Sequence, residues 1–332
     1  MEAYFDNAAT TKVFPEVKDL VVKLMEEDYG NPSSLHQKGL DAGHYIKETK
    51  EILAKEWKVD SKEIVLTSGG TESNNLALIG AALANKRSGN RIITSKVEHA
   101  SVSSTMAFLE SLGFEVVYLN VDHQGIVDLE QLEQEVNEDT ILVSVMYVNN
   151  EIGAVEPIQK IAEIIKEKNP KTLFHVDAIQ AFGKYHIYPK RMGIDLMSVS
   201  GHKIHGPKGT GALFIKNRTK VKPIIYGGGQ QDGMRSGTEN VPGFAGFGLA
   251  TKMVYEDLEA RIVRMRAVKD RLTERLKALP DVYINEGEAP HILSVSFVGV
   301  RSEVMLHALE ERQIYVSSGS ACSSNKPAVS RV

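Results

Sequence analysis

Cysteine is almost absent from this 332-residue chain, which contains a single one, Cys322. No intrachain disulfide can therefore form, and we expect a reducing, cytoplasmic location. Long apolar runs are also missing, since none approaches the ~18–20 residues of a membrane span. The first residues, Met1 to Asp6, have neither the basic region nor the apolar core of a secretory signal. The net charge of −4 gives no general attraction to nucleic acid or to an anionic membrane.

Metal-binding motifs are missing as well. The ten histidines include no HExxH pair, and one cysteine excludes a zinc finger, so no metal site is expected. What remains is an ordinary globular composition, with 42% hydrophobic and 25% charged residues. The length suits one large and one small domain.

Apolar runs of strand length alternate with helix-like stretches between about residues 60 and 215. This alternation predicts a largely parallel sheet covered by helices on both faces. The pattern from Pro242 to about Leu279 predicts one long helix that leaves the large domain. A strand over Ile292–Phe297, a helix over Ser302–Glu311 and a strand over Ile314–Val316 then predict a small α/β domain. The strands predicted for the large domain are Ile64–Thr67, Arg91–Ser95, Glu115–Leu119, Ile141–Val145, Leu173–Val176, Leu196–Val199 and Ala212–Ile215.

Lys203 is the most informative residue, because it follows a predicted strand in a loop of small and polar residues. Asp177 ends another predicted strand, and His99 lies just beyond a third. Ligands bind at the carboxyl ends of the strands in open α/β sheets, so we expect these three side chains at one edge. A lysine amine can form a Schiff base, and an aspartate can hold a pyridinium nitrogen. This constellation predicts pyridoxal 5′-phosphate (PLP) as the cofactor.

A glycine-rich run, Thr67 to Asn75, joins a predicted strand to a helical stretch. Its Gly70 and Thr71 suit a phosphate held at a helix N-terminus, although the run is neither GxGxxG nor a P-loop. A plain turn with a helix cap explains the run equally well. Asp177 can likewise cap a following helix, and a lone histidine such as His99 is more often buried or capping.

Four further candidates for the site also have structural explanations that need no function. Gln180, one helical turn beyond Asp177, can reach a cofactor oxygen. Asn150, in a pair of asparagines, can donate to a ring oxygen or form a solvent-facing turn. The segment from Arg235 to Thr238 can embrace a phosphate across a subunit boundary or form a surface loop. Cys322 lies among small polar residues, which predicts an exposed thiol, whereas a lone cysteine is more often a small buried hydrophobe.

Together these motifs resemble the cysteine desulfurases of the PLP-dependent fold-type I superfamily. The resemblance implies a mainly parallel seven-stranded sheet in a large domain, residues 14–255, and a small α/β domain, residues 1–13 and 256–332, that carries the cysteine loop. In that family the chain continues further and supplies an arginine for the substrate carboxylate, and no residue here matches it. The matching motifs are Tyr4-Phe5-Asp6-Asn7-Ala8-Ala9-Thr10-Thr11, Gly30-Asn31-Pro32-Ser33-Ser34-Leu35-His36, Thr67-Ser68-Gly69-Gly70-Thr71-Glu72-Ser73-Asn74, Glu98-His99, Asn149-Asn150-Glu151-Ile152-Gly153, His175-Val176-Asp177-Ala178-Ile179-Gln180, Ser200-Gly201-His202-Lys203, Arg235-Ser236-Gly237-Thr238 and Ser317-Ser318-Gly319-Ser320-Ala321-Cys322-Ser323-Ser324.

The resemblance also implies a role for each matching residue. Cys322, Lys203 and His99 are the implied catalytic residues, with Lys203 forming the Schiff base and Cys322 taking the sulfur. Asp177 pairs with the pyridine nitrogen, Gln180 contacts the ring hydroxyl and His99 stacks on the ring. The remaining implied contacts are Asn150 with cofactor and substrate, Gly70, Thr71, Ser200 and His202 with the phosphate, and Thr238 with the phosphate of the second subunit in a homodimer.

The implied reaction removes sulfur from L-cysteine, leaving L-alanine and a persulfide on Cys322. An acceptor protein then collects the sulfur for iron–sulfur cluster assembly or tRNA thiolation. Two alternatives remain open from the sequence: another fold-type I PLP enzyme, such as a selenocysteine lyase or an aminotransferase, or a non-catalytic sulfur carrier that uses only Cys322. The Lys203 and Asp177 pair argues against the carrier.

Overall fold

The computed structural model describes residues 2–319. The central element of this part of the chain is a seven-stranded sheet, flanked by two pairs of short strands. The strands are β1 (Ala3–Tyr4), β2 (Ile64–Thr67), β3 (Arg91–Ser95), β4 (Glu115–Leu119), β5 (Thr140–Met146), β6 (Leu173–Asp177), β7 (Leu196–Ser200), β8 (Gly211–Ile215), β9 (Val282–Asn285), β10 (Ser294–Phe297) and β11 (Ile314–Tyr315).

The large sheet has the strand order β2-β8-β7-β6-β5-β3-β4. Strands β4, β3, β5, β6 and β7 are joined by parallel pairings, whereas β8 runs antiparallel to both β7 and β2. The prediction of a mainly parallel seven-stranded sheet is therefore confirmed. The reversal of β8 was not predicted, because the apolar run of a buried strand does not encode its direction.

Helices cover both faces of the sheet. They bury two hydrophobic clusters, one containing Phe174 and Phe214 and the other Leu76 and Met106. Both faces of the inner strands are therefore buried, which is why these strands have continuous apolar runs, whereas Glu115 in the edge strand β4 is exposed. The α-helices are α1 (Pro15–Glu26), α2 (Gln37–Trp57), α3 (Gly70–Asn85), α4 (Ala100–Ser111), α5 (Leu129–Glu135), α6 (Ile158–Lys168), α7 (Val241–Glu256), α8 (Leu258–Lys277) and α9 (Ser302–Glu310).

Helices α2 and α7 pack closely because α7 has a glycine at the crossing. A Cβ atom on Gly248 would come within 2.8 Å of the Thr49 hydroxyl oxygen. That hydroxyl donates to the carbonyl of Phe244 at 3.0 Å, which satisfies a polar group that is buried between the helices. The contact holds α2 against α7.

The predicted single helix from Pro242 to Leu279 is wrong in one respect, because the structure divides it into α7 and α8. The break falls at Asp257, whose φ of −126° and ψ of 24° are not helical. No glycine or proline marks this position, so the break has no local signal in the sequence. The break lies two residues beyond the predicted domain boundary at residue 255.

The two pairs of short strands lie outside the large sheet. Strand β1 pairs in parallel with β11, which joins the start of the chain to its last described strand, and β9 pairs with β10 in antiparallel fashion. These pairings support the predicted small domain built from residues 1–13 and 256 onward, which stays a prediction.

Candidate functional site

A cavity of about 220 Å³ opens at the carboxyl ends of the parallel strands. The segments that follow β2, β3, β5, β6 and β7 all contribute to its wall, as expected for an open α/β sheet. Nine of the residues predicted from the sequence line this cavity: Gly70, Thr71, His99, Asn150, Asp177, Gln180, Ser200, His202 and Lys203.

Lys203 lies at the end of the 3₁₀ turn that follows β7, residues Gly201–Lys203. Its Nζ atom donates to the carbonyl oxygens of Ala8 and Ala9, at 2.5 and 2.8 Å. The N-terminal segment thus lies across the lysine, and the hydroxyl of Thr11 donates to the carbonyl of His202 at 2.8 Å. The amine is therefore held at the cavity wall by the chain's own N-terminal segment.

Asp177 lies at the end of β6 and is 5% exposed. Its Oδ2 accepts from the amide of Asn74 at 2.8 Å, and its Oδ1 accepts from the backbone N–H of Ile179 at 3.0 Å. Burial raises the pKa of this carboxyl, while the charge of His99, these hydrogen bonds and the charge of Lys203 oppose the rise. A carboxylate buried at a cavity wall suits a cationic ring nitrogen, because such a partner offsets its desolvation.

His99 combines the two interpretations that the sequence left open. It is the N-cap of α4, and it also lines the cavity. Its Nδ1 accepts from the backbone N–H of Ser101 at 3.1 Å and lies 2.8 Å from the Ser101 hydroxyl oxygen. The hydroxyl oxygen in turn accepts from Asn74 at 2.8 Å, so its own proton is available to Nδ1. This network fixes the plane of the imidazole ring.

Another part of the cavity wall suits an anion. Gly69 precedes α3 with a φ of +147°, and Gly70 begins the helix, so free backbone N–H groups face the site at a helix N-terminus. Ser200 and His202 line the same cavity. Burial, with the charges of nearby lysines, lowers the pKa of His202 to about 4, so it serves as a neutral hydrogen-bonding group.

Gln180 and Asn150 complete the described wall. The Gln180 amide nitrogen donates to the carbonyl of Ala8 at 2.9 Å, and its oxygen lies 3.2 Å from Nε2 of His291. Asn150 lines the cavity, whereas its neighbour Asn149 is buried and its side-chain oxygen accepts from the backbone N–H groups of Glu151 and Ile152. The two adjacent asparagines therefore have different tasks, and only the second faces the site.

Two predicted residues are not part of this cavity. Thr238 is exposed and does not line it within one chain. Arg235, which the sequence offered to a phosphate, instead forms a forked ion pair with Glu72 in the first turn of α3, with N–O distances of 2.8 and 3.2 Å. Cys322 lies outside the described residues. Ser317 and Gly319, just before it, line the cavity, so the chain leads from this site toward the cysteine.

Sequence reasoning assigned no role to three buried polar residues behind the site. Asn74 is fully buried and links Asp177 to Ser101. Lys184 donates to the carbonyl of Lys203 at 2.6 Å, and burial followed by the charge of Lys203 lowers its pKa to about 7. Glu98 is buried, and burial raises its pKa to about 8. Asn74 had a detectable signal, since it is a polar residue on the apolar side of a helix.

The donor set at this cavity fits PLP. An amine and a buried carboxylate face one space, and a helix N-terminus with glycines suits the phosphate. Gly70 has no room for a side chain, because a Cβ atom there would come within 2.1 Å of the Ile179 methyl carbon. The backbone at the start of α3 is thus kept clear for close approach.

Comparisons with known proteins identify the family and relatives of this chain. The family model described as aminotransferase class-V matches residues 3–332. The "Cysteine desulfurase IscS" of Dictyoglomus turgidum is 43% identical over 328 residues, which are 98% of this chain and 83% of that protein. A solved structure described as a NifS-like protein superposes with a TM-score of 0.94 at 40% identity, covering 96% of this chain and 88% of the other. SspA, solved in complex with cysteine, has a TM-score of 0.84 at 34% identity, covering 99% of this chain and 92% of the other.

Proposed function

Because the chain belongs to the aminotransferase class-V family, and its most similar relatives include cysteine desulfurases, we propose that it is a PLP-dependent cysteine desulfurase. The single observation that supports this best is that Lys203 and Asp177 face one cavity from the ends of neighbouring strands. The substrate is L-cysteine, and the products are L-alanine and a persulfide on Cys322.

PLP supplies an electron sink for the bond that breaks at the substrate's α-carbon. Lys203 would hold the cofactor through its amine, and Asp177 would keep the ring nitrogen protonated. Asp177 can do so because it is buried and its own orientation is fixed by Asn74 and by the Ile179 backbone. His99, whose imidazole plane is fixed by Ser101, would supply the surface on which the ring stacks.

Lys203 also moves protons. With PLP bound, the Lys203 amine would be placed to accept the proton from the substrate's α-carbon and later to return one. The carbonyl groups of Ala8 and Ala9 hold this amine at the cavity wall when it is not attached. Gly70, Thr71, Ser200 and His202 would hold the phosphate and so keep the cofactor beside Lys203.

Cys322 receives the sulfur as a nucleophile. Its thiolate attacks the sulfur of the substrate, a sulfur–sulfur bond forms, and the carbon–sulfur bond breaks. The bonding electrons stay with the carbon fragment, which takes up protons to become alanine. The persulfide then passes to an acceptor protein for iron–sulfur cluster assembly or tRNA thiolation.

We further propose that the chain acts as a homodimer, with Thr238 of one subunit reaching the phosphate site of the other. The exposed position of Thr238 is compatible with this contact. Large apolar side chains are exposed on α1, on α2 and on the segment between them, which supports a covered surface here: Val22, Met25, Tyr29, Leu35 and Leu40, of which Leu35 is 96% exposed. We call these five residues the α1–α2 apolar group.

Within residues 2–319, no helix is long and apolar enough to cross a membrane.

The decisive assay measures alanine and sulfide from L-cysteine in the presence of a reductant. A cysteine desulfurase forms both in equal amounts. Dependence on an amino acceptor would favour an aminotransferase, and release of selenide from selenocysteine without turnover of L-cysteine would favour a selenocysteine lyase. A colourless protein that turns over none of these substrates would favour the remaining alternative, a non-catalytic sulfur carrier.

Reduction with borohydride tests which residue attaches the cofactor, independently of the reaction catalysed. It should fix the cofactor to Lys203, as peptide mapping can show, and the Lys203→Ala variant should be neither labelled nor active. Labelling of Lys184, the buried lysine beside it, would show that the attachment residue was wrongly chosen. Lys184→Arg is the matched variant, and it should still be labelled at Lys203.

A further inference from the structure

We propose that His291 is a positioning residue that holds the Gln180 amide with its nitrogen toward the cofactor. This inference rests on the proposed function, since it gives Gln180 a correct and an incorrect orientation only if a cofactor oxygen must accept from it. His291 lies between α8 and β10, in the part of the chain assigned to the small domain, and 111 residues after Gln180.

The Gln180 amide has two distinguishable ends. Its nitrogen donates to the carbonyl of Ala8 at 2.9 Å, and its second N–H is available to the cavity that Gln180 lines. Its oxygen lies 3.2 Å from Nε2 of His291. Reversing the amide would place its oxygen against the carbonyl oxygen of Ala8, and it would remove the donor from the site.

His291 can support this orientation only as a donor at Nε2. The Gln180 oxygen is an acceptor, so Nε2 must be protonated. Nδ1 is buried and has no hydrogen-bond partner among the described residues. The other neutral tautomer would leave a buried N–H without an acceptor and would set two lone pairs against each other, so the neighbours select the Nε2–H form.

The charges around His291 keep the ring neutral. Burial, and then the positive charges of Lys184, Lys269 and Lys203, lower the pKa of His291 well below its ordinary value. The imidazole therefore does not gain a second proton near neutral pH, and the tautomer with Nε2–H persists. A neutral ring adds no positive charge to the three lysines, while still fixing the amide.

The consequence is a measurable property of the bound cofactor. A hydrogen bond donated to the ring oxygen stabilises negative charge there, so the cofactor linked to Lys203 loses its titratable proton at a lower pH. If the Gln180 amide is free to reverse, this bond is weakened and the midpoint of the visible pH titration moves to higher pH. The shift should be about one pH unit, the size expected for weakening a hydrogen bond to a charged oxygen.

The test compares visible pH titrations of the purified holoenzyme, the His291→Phe, Gln180→Leu and double variants, and His307→Phe. His307 is an exposed histidine on α9 and serves as the matched control. His291→Phe should raise the midpoint by about one unit, Gln180→Leu should raise it at least as far, and the two together should add nothing to Gln180→Leu alone. His291→Gln, which keeps an N–H donor, should restore most of the wild-type midpoint, and His307→Phe should not change it.

An unchanged titration midpoint in His291→Phe would overturn the proposal. So would a double variant in which His291→Phe raises the midpoint of Gln180→Leu by as much as it raises that of the wild type. If the phenylalanine variant does not fold, His291→Asn, whose shorter donor cannot reach the amide, provides the same comparison. A wild-type protein that shows no cofactor absorption at all would refute the proposed function itself, which separates the two failures.

Discussion

At the scale of single residues, the site depends on buried and half-buried polar side chains that hydrogen bonds hold in place. Asp177, His99 and Lys203 were predicted from the sequence because each follows a strand, and strand ends in such a sheet meet at one edge. Asn74, which joins Asp177 to Ser101, was not predicted. Its partners are 27 and 103 residues away, so only the folded chain shows that one amide serves both.

Asp177→Asn tests the charge at the ring nitrogen. The amide has nearly the same shape as the carboxyl group, so the variant should fold and bind the cofactor. It should lose at least ~100-fold in kcat, the usual size of a pre-organised electrostatic contribution to catalysis. Steady-state alanine formation measures this loss. Asp270→Asn makes the same chemical change at an exposed position on α8 and should retain wild-type kcat. A kcat within a fewfold of wild type in Asp177→Asn would refute the role of the charge.

At the scale of secondary structure, buried strands were the most predictable elements. Their apolar runs match the observed bounds to within a residue or two, because strands covered on both faces bury most of their side chains. Helices α1 and α2 were not predicted, since much of their surface is charged and exposed. The antiparallel direction of β8 and the break at Asp257 also escaped prediction, because both depend on neighbours that are distant in sequence.

The start of α3 offers a test of the phosphate cradle. In Gly70→Ala the new Cβ meets the end of the Ile179 side chain at 2.1 Å, so that side chain must move at the cavity wall. We expect PLP affinity to fall about tenfold or more, corresponding to ~1.4 kcal/mol. Equilibrium dialysis of the cofactor measures this change. The Ile179→Ala substitution, added to Gly70→Ala, should recover much of the affinity by removing the contact. Gly43→Ala has open space around its Cβ and should not weaken PLP binding.

Glu98 connects the turn after β3 to β5, because its Oε1 accepts from Ser95 at 2.7 Å and from the Met146 backbone at 3.0 Å. Burial raises its pKa from 4.5 to about 8, so the folded protein holds this proton more tightly than the unfolded chain does. Its contribution to stability is therefore fully present below pH 4.5 and is lost as the pH rises through about 8.

Glu98→Gln keeps the accepting oxygen and replaces the ionisable one with an amide. The variant should gain free energy of unfolding relative to wild type as the pH rises from 5 to 8, by on the order of 1–3 kcal/mol. Urea unfolding at several pH values measures the difference. Glu274→Gln, at an exposed site on α8, should parallel wild type at every pH. Parallel curves for wild type and Glu98→Gln would show that Glu98 does not hold a proton in the folded protein.

At the scale of the whole molecule, the described part of one chain provides most of the proposed site. Thr238 is exposed and does not line the cavity of its own chain, and Cys322 is not among the described residues 2–319. The resemblance could assign both residues, whereas composition and periodicity could not, since a contact between subunits leaves no period in the sequence. The α1–α2 apolar group is the surface feature that a second copy would cover.

The dimer proposal predicts that Leu35→Asp weakens association. Placing a charge on the most exposed member of the α1–α2 apolar group should shift sedimentation from dimer toward monomer and lower PLP affinity, because Thr238 then no longer reaches its site. Val268→Asp changes an exposed valine on α8 and should leave the dimer intact. A wild-type protein that sediments as a monomer and binds PLP fully would contradict the shared site.

The central claim is that this site moves sulfur from L-cysteine to Cys322, and mass spectrometry of the protein tests it most directly. The holoenzyme is mixed with a small excess of L-cysteine, without reductant, and digested after a single turnover. The account predicts one alanine per active site and a Cys322 peptide that is heavier by one sulfur atom, with neither gain in Lys203→Ala and no added sulfur in Cys322→Ser. Alanine formed at the wild-type rate by Cys322→Ser, or no added sulfur on Cys322 in an active enzyme, would contradict it.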